Sequence, residues 1–262
     1  MWTRQQLKAN AKLCLRRFHW HAVLVCLIIS LLCGTYDTGI EFNLNLQELD
    51  LGADLLAQLS GSVSGNGILG YLFCSATSTV ILLFVLFAMF STLAFSWLIS
   101  NVIEVGGHRY FLIARERPAS VTVLFVGFQY GYRNIVLAML LRAVYIFLWS
   151  LLFLIPGIVK AYAYRMVPYL LAENPHMEHR RALELSEAMM KGHKFDTFLF
   201  DLSFLGWELL NFFTGNLLNV LYLQPYMAAA HTEHYCAVRA EAFAHGLTDL
   251  TELPGFAADD TL

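Results

Sequence analysis

Charged residues are scarce in this sequence. Asp, Glu, Lys and Arg make up only 14% of its 262 residues, whereas 58% are hydrophobic. Water-soluble domains carry roughly a quarter charged residues, because charge keeps their exterior hydrated. A chain this apolar cannot hide all its hydrophobic side chains in one core, so we expect lipid to be part of its solvent. The net charge of −3 gives no indication of nucleic-acid binding.

The cysteines and histidines do not form a recognisable metal or redox motif. The five cysteines include no CxxC pair, which favours buried or lipid-facing thiols over a disulfide scaffold. The histidine pairs His176/His179 and His231/His234 lack a third ligand at a signature spacing. We therefore expect no metal and no other cofactor.

Catalytic signatures are missing as well. The sequence contains no GxSxG nucleophile elbow and no glycine-rich loop that could cradle a phosphate. We expect that the protein is not an enzyme. An intramembrane enzyme acting on lipid head groups would have only Glu173, His176 and His179 as candidates near the cytoplasmic side, and this alternative ranks last.

Long apolar runs predict an all-α fold, a polytopic transmembrane helix bundle of about six crossings in three hairpins. A helix needs about 20 mostly apolar residues to cross a bilayer. The first run follows a basic N-terminus and is interpreted as a retained signal anchor. The predicted crossings lie near residues 18–36, 79–102, 134–155, 158–171, 195–213 and 217–230.

The Lys and Arg residues predict the orientation of this single transmembrane domain (1–262). Five precede residue 18, four lie in 104–133 and four in 174–195, whereas 37–67 is acidic and contains none. Six crossings place every basic loop in the cytoplasm, together with both termini and a flexible tail at 241–262. The 37–67 loop is then extracytoplasmic. A model with four crossings would put the loops at 104–133 and 174–195 on opposite sides.

Short amphipathic helices are expected on the cytoplasmic side. Residues 120–128 are apolar but too short to cross, so we predict an interfacial helix there. The segment 177–190 is amphipathic and predicts either a partner-binding surface or a helix lying on the inner leaflet, the commoner case. The expected partners are the lipid bilayer, the anionic lipids of its cytoplasmic face and a membrane protein, but not nucleic acid.

The last two hairpins repeat one order of residues. Each has a Trp on the outgoing helix, a Gly at the outer turn and a Pro on the returning helix: Trp149, Gly157 and Pro168, then Trp207, Gly215 and Pro225. Parallel repeats of this kind occur in transporters, although these residue types also favour membrane ends and turns by themselves. The prolines, including Pro156, are expected to end or kink helices.

Several polar residues fall inside the predicted crossings: Arg142, Lys160, Arg165, Asp201, Glu208 and Asn211. A charge at this depth costs about 3 kcal/mol on insertion scales, so such residues face the bundle interior and pair. Asp201, Glu208 and Asn211 are predicted to share one helix face. Two interpretations remain: a relay centred on Glu208 with Arg165 or Arg142, or ion pairs that fix helix register. We favour the second, with Lys160 snorkelling outward.

Several motifs resemble the bacterial membrane-protein family termed domain of unknown function 975. They are LWSLLFLIPGIVKAYAYRMVPYLLAENP (148–175), LFVGF (124–128), AMMKGHK (188–194), LFDLSFLGWELL (199–210) and QPYMAAAHTEHY (224–235). The resemblance implies a multi-helix integral protein of the bacterial plasma membrane and implies no activity. The chain departs from the family at Glu173, where Asp is usual, and at 214–216, which replaces a more Gly-rich turn.

Together these features predict an integral plasma-membrane protein that acts as a scaffold, an accessory subunit or a lipid-interacting factor. The alternative is a small-solute or ion transporter built on two parallel repeated hairpins at 134–172 and 196–236.

Overall fold

The computed structural model describes residues 2–33, 68–213 and 218–256. All regular structure in these ranges is helical and no strand occurs among them, which confirms the all-α fold class. Two described helical stretches are long and apolar enough to cross a bilayer, at Arg4–Leu32 and Tyr132–Leu152. Two such helices are consistent with membrane association, but they do not confirm six crossings.

The α-helices are, in chain order, α1 (Arg4–Cys33), α2 (Ile68–Phe95), α3 (Asn101–Glu116), α4 (Val126–Gln129), α5 (Tyr132–Leu152), α6 (Leu154–Ala163), α7 (Val167–Glu173), α8 (His179–Met189), α9 (Lys194–Leu202), α10 (Leu205–Phe213) and α11 (Gln224–Ala244). Two π-helical turns, Ser96–Ser100 and Asn219–Leu223, precede α3 and α11, and a 3-10 helix, Val121–Phe125, precedes α4.

The chain divides into two compact units, residues 41–96 and the remainder. The described part of the first is mainly α2, whose apolar residues are widely exposed. Phe84, Phe87 and Phe90 are each at least 70% exposed and recur at helical spacing. A helix with such a face needs an apolar environment.

The larger unit has two groups of buried apolar residues. In one, α7 and α8 pack with α5 and the second half of α11, around Leu170 and Tyr235. In the other, α1 packs with α3 and the start of α11, around Cys26 and Phe200. Helix α1 follows this surface by bending at Phe18, where the backbone leaves helical geometry (φ −135°, ψ 30°).

The predicted interfacial helix at 120–128 belongs to the protein core instead. Val123 and Leu124 in the 3-10 helix are fully buried. The backbone of Leu124 lies so close to Gly106 on α3 that a Cβ there would sit 2.1 Å from its carbonyl oxygen. Packing against α3 therefore fixes this segment, and only parts such as Phe125 and Phe128 remain exposed.

The predicted amphipathic segment at 177–190 forms α8, but its apolar face does not lie on a leaflet. Leu183, Leu185 and Met189 are buried in the core shared with α5 and α7. Ser186 accepts a hydrogen bond from the Met166 amide at 3.1 Å and donates one to the Ala163 carbonyl at 2.8 Å. A partner-binding surface and a helix lying on the inner leaflet would both need an exposed apolar face. The chain itself covers the apolar face of α8 instead.

The C-terminal tail also differs from the prediction of a flexible segment at 241–262. Helix α11 continues to Ala244, and residues 248–256, which we call the C-terminal strap, return onto the helices. Leu253 in the strap is fully buried. Residues 257–262, like the predicted loop at 37–67, lie outside the described residues.

Candidate functional site: polar networks between the helices

An ion pair joins the two predicted hairpins. Arg165, in the turn between α6 and α7, donates from Nη2 to Asp201 Oδ1 on α9 at 3.0 Å and contacts Oδ2 through Nη1. Tyr162 donates to Oδ2 at 2.9 Å, and Arg165 Nη2 lies 3.2 Å from His231 Nδ1 on α11. The basic and acidic residues of neighbouring hairpins therefore meet, as the register interpretation requires.

The acidic face predicted for one helix is divided between two. Helix α9 ends at Leu202 and α10 begins at Leu205, because the buried Phe204 ring holds the intervening turn in the core. Asp201 is thus on α9, whereas Glu208 and Asn211 are on α10. Asn211 Oδ1 accepts a hydrogen bond from the Asn219 amide at 3.0 Å, joining α10 to the segment before α11.

Arg142 and Lys160 also contact carboxylates. Arg142 Nη1 lies 3.9 Å from Glu104 on α3, and its buried Nε has no hydrogen-bond partner among the described residues. Lys160 Nζ donates to Glu187 on α8 at 2.7 Å. The predicted outward snorkelling of Lys160 was wrong, since packing of α8 beside α6 brings Glu187 within reach.

The predicted turn residues lie at helix starts. The break after α5 is at Phe153, which is extended (φ −157°, ψ 145°), so Pro156 and Gly157 lie within α6. A Cβ on Gly157 would sit 2.1 Å from Ser150 Oγ, which explains why the close approach of α5 and α6 needs glycine. Pro168 occupies the first turn of α7, where a missing amide hydrogen has no cost. Pro225 is the second residue of α11 and directly follows the π-helical turn Asn219–Leu223. Gly215 lies outside the described residues.

A second network is centred on Glu173 at the end of α7. This carboxylate is only 5% exposed and accepts hydrogen bonds from the Tyr235 hydroxyl at 2.8 Å and the Gly255 amide at 2.9 Å, and from Arg239. It therefore connects α7, α11 and the strap. The sequence offered one signal, an acid at the end of an apolar run directly before Asn-Pro, but we considered Glu173 only as a candidate for lipid head-group chemistry and as a departure from the family.

The strap is fastened by side chains from two helices and a loop. Arg181 on α8 donates to both oxygens of Glu252, at 2.6 and 2.9 Å. Asn174 donates to the Glu252 carbonyl and Arg239 to the Leu253 carbonyl, each at 3.0 Å. The hydrogen bond from Arg181 is the largest influence on Glu252 and lowers its pKa below the ordinary value.

A cavity of about 860 Å³ opens between α1, α3, α11 and the strap. On its wall Arg115 Nε donates to Glu233 Oε1 at 2.8 Å, and Asn10 contacts the other oxygen at 3.4 Å. Glu173 and Arg239 line the cavity from the strap side. Its charged groups are thus already matched within the protein. Among the residues the structure describes, no group of three or more His, Cys, Asp or Glu could hold a metal ion.

Comparison with known proteins gives one match. Residues 131–242, from the start of α5 to two residues before the end of α11, match the family described as Protein of unknown function (DUF975). No curated protein and no solved structure matches the chain. The match includes both predicted hairpins, the Arg165–Asp201 pair, and Glu173 with its partners on α11. Over residues 131–242 the chain therefore matches a domain of unknown function 975, as its motifs predict.

Proposed function

We propose that this chain is an integral protein of the bacterial plasma membrane that acts without catalysis, as a scaffold, an accessory subunit or a lipid-interacting factor. One observation carries the membrane proposal. The five consecutive residues Leu151–Ile155, at the junction of α5 and α6, are all apolar and each between 63% and 75% exposed. In water a run of this kind would drive aggregation, whereas in lipid it has no cost.

The proposed topology has six crossings, with both termini in the cytoplasm. Helices α1, α2 and α5 each have the length of a crossing. The pairs α6–α7 and α9–α10 are each broken once, yet Leu154–Glu173 and Lys194–Phe213 match the length of one crossing. The sixth crossing is formed by the π-helical turn Asn219–Leu223 and the start of α11. The distribution of Lys and Arg favours this orientation over four crossings.

The paired charges favour a structural role over a proton or solute relay. Arg165 and Asp201 are 14% and 21% exposed, and their contact ties the turn before α7 to α9. Lys160 and Glu187 tie α6 to α8. An ion pair inside a helix bundle specifies which faces meet. The cavity described above is lined by none of Glu208, Arg165 and Arg142, the residues of the predicted relay.

Two experiments on the full-length chain test this proposal. After alkaline carbonate extraction of membranes from expressing cells, the protein is expected in the membrane pellet, and its release would overturn membrane integration. Single cysteines at 50, 180 and 250, in a chain whose five cysteines are replaced by serine, test the topology. Position 50 is expected to label from outside, and 180 and 250 only after permeabilisation.

A fourth cysteine, at position 208, separates the scaffold from the transporter. In a sealed bundle it is protected from water-soluble maleimides on both sides. Labelling there would reveal a hydrated path along α10 and would favour small-solute or ion transport through the repeated hairpins.

A further inference from the structure

A groove of about 800 Å³ lies on the first half of α1, beside Tyr222. Leu13 and Leu15 are part of its largely apolar wall, and Lys12 and Arg16, one helical turn apart, are on the same side. We call this the α1 groove. The groove therefore offers an apolar surface that could contact a hydrocarbon chain and two cations that could bind an anion.

The cations of the α1 groove are available to a ligand. Lys12 and Arg16 are exposed, and among the described residues no carboxylate forms an ion pair with either of them. Lys12 Nζ lies 5.9 Å from the centre of the Tyr226 ring, which holds the ammonium beside the groove. The neighbouring Arg17 is exposed as well. The surface at the α1 groove is therefore positive. Elsewhere Arg115, Arg165 and Arg181 are each paired with a carboxylate.

Aromatic rings follow the cations along α1. His19 lies 6.3 Å from the Tyr222 ring at the end of the groove, and Trp20 is 75% exposed. Beyond His21, which is also exposed, the exposed residues of α1 are apolar, at Leu24, Leu27 and Leu31. Cation, aromatic ring and hydrocarbon in this order match the profile of a bilayer from headgroup to acyl chain.

We propose that the α1 groove binds one anionic phospholipid of the inner leaflet. Its phosphate lies between Lys12 and Arg16, and its acyl chains run past Tyr222 and along Leu24 and Leu27. Charge complementarity selects an anionic headgroup, and the apolar wall selects a lipid over a free anion. This inference rests on the proposed function, because it requires α1 to sit in a membrane.

Native mass spectrometry of the full-length protein tests the site. The protein is released from detergent containing equal amounts of phosphatidylglycerol and phosphatidylcholine, and the bound lipid is counted. Wild type is expected to retain one phosphatidylglycerol in preference to phosphatidylcholine. The variant Lys12→Gln/Arg16→Gln should lose about 30-fold in affinity, since each cation near a lipid surface contributes about fivefold.

The control is Arg180→Gln/Lys191→Gln, which removes one Arg and one Lys from exposed positions away from the groove and should bind as wild type does. Equal retention of phosphatidylglycerol by both variants would overturn the site, as would its displacement by inorganic phosphate. A melting temperature like that of wild type shows that Lys12→Gln/Arg16→Gln is folded. If the double variant is not folded, the single variant Lys12→Gln should lose about fivefold in affinity for phosphatidylglycerol. Unchanged retention by this single variant would equally overturn the site. A protein that stays in the carbonate pellet while failing these tests would refute the groove and leave the proposed function intact.

Discussion

Residues 151–155 and the C-terminal strap reverse the usual relation between composition and burial. The first stretch is entirely apolar and at least 63% exposed throughout. The strap is largely polar in sequence, yet it buries Leu253 completely and receives hydrogen bonds from Asn174, Arg181 and Arg239. If water surrounded both segments, the docking of the strap would be explained but the exposure of residues 151–155 would not.

The contrast is explained when the two segments have different solvents. In the proposed topology lipid surrounds the junction of α5 and α6, so no protein contact is needed there. The same proposal puts the strap in water, where burying one leucine and satisfying several backbone groups favours docking. Under this proposal, burial depends on the surrounding medium as much as on the residue type.

The largest effect is expected when an arginine is introduced into residues 151–155, compared with an arginine in the strap. Leu152→Arg puts a guanidinium where we propose lipid, at a cost of about 3 kcal/mol on insertion scales, and should sharply lower the amount of protein in carbonate-washed membranes. Leu250→Arg, at a strap position that is 70% exposed, should leave this amount unchanged. Equal loss in both variants would contradict a lipid environment at 151–155.

Removing one member of the hairpin ion pair should have the next largest effect. Asp201→Asn leaves the mostly buried Arg165 without its countercharge and should destabilise the protein by about 3 kcal/mol, read from unfolding in mild detergent. The double variant Arg165→Gln/Asp201→Asn should lose less than the sum of the single variants. Additive losses would show that the pair does not couple the hairpins.

Closing the space at Gly157 should have a smaller effect. Gly157→Ala forces a methyl group against Ser150 and should cost about 2 kcal/mol. The double variant with Ser150→Gly removes the Oγ and Cβ nearest the new methyl group and should recover part of this loss. If Gly157→Ala were as stable as wild type, the close approach of α5 and α6 would be refuted.

Detaching the strap should have the smallest effect on global stability. Arg181 and Glu252 are partly exposed, so Arg181→Gln should cost about 1 kcal/mol or less, while hydrogen exchange in residues 248–256 should rise clearly. Arg180→Gln, the exposed neighbour, is the control and should leave this exchange unchanged. Slow exchange in both variants would show that the ion pair does not hold the strap.

The docking of the strap should also depend on pH. The pKa of Glu252 is lowered in the folded protein, chiefly by Arg181. Its contribution is therefore fully present above its ordinary pKa of 4.5 and is lost as pH falls through the lowered native value. Hydrogen exchange in the strap should therefore increase as the pH falls from 4.5 through the lowered native pKa, and Glu252→Gln should abolish this dependence.

The sequence allowed some of these features to be predicted. Helical periodicity and apolar length gave the all-α class, and the expectation that buried charges pair gave the meeting of Arg165 with acidic residues of the next hairpin. The break between α9 and α10 was not predictable, because it depends on the burial of Phe204 in a core assembled from α1 and α11.

The strap and α8 were missed for a related reason. Arg181 and Glu252 are 71 residues apart, and polar composition alone describes a hydrated tail. The apolar face of α8 is plain in the sequence, but periodicity does not reveal whether lipid, a partner or the chain itself covers it. Tertiary packing decided both cases.

Spin labels compare the two segments most directly. Nitroxides at positions 152 and 250 of the membrane-reconstituted protein report collision with oxygen, which concentrates in lipid, and with a water-soluble nickel chelate. The label at 152 should collide mainly with oxygen and the label at 250 mainly with nickel. Equal nickel accessibility at both positions would place residues 151–155 in water and contradict their assignment to the bilayer.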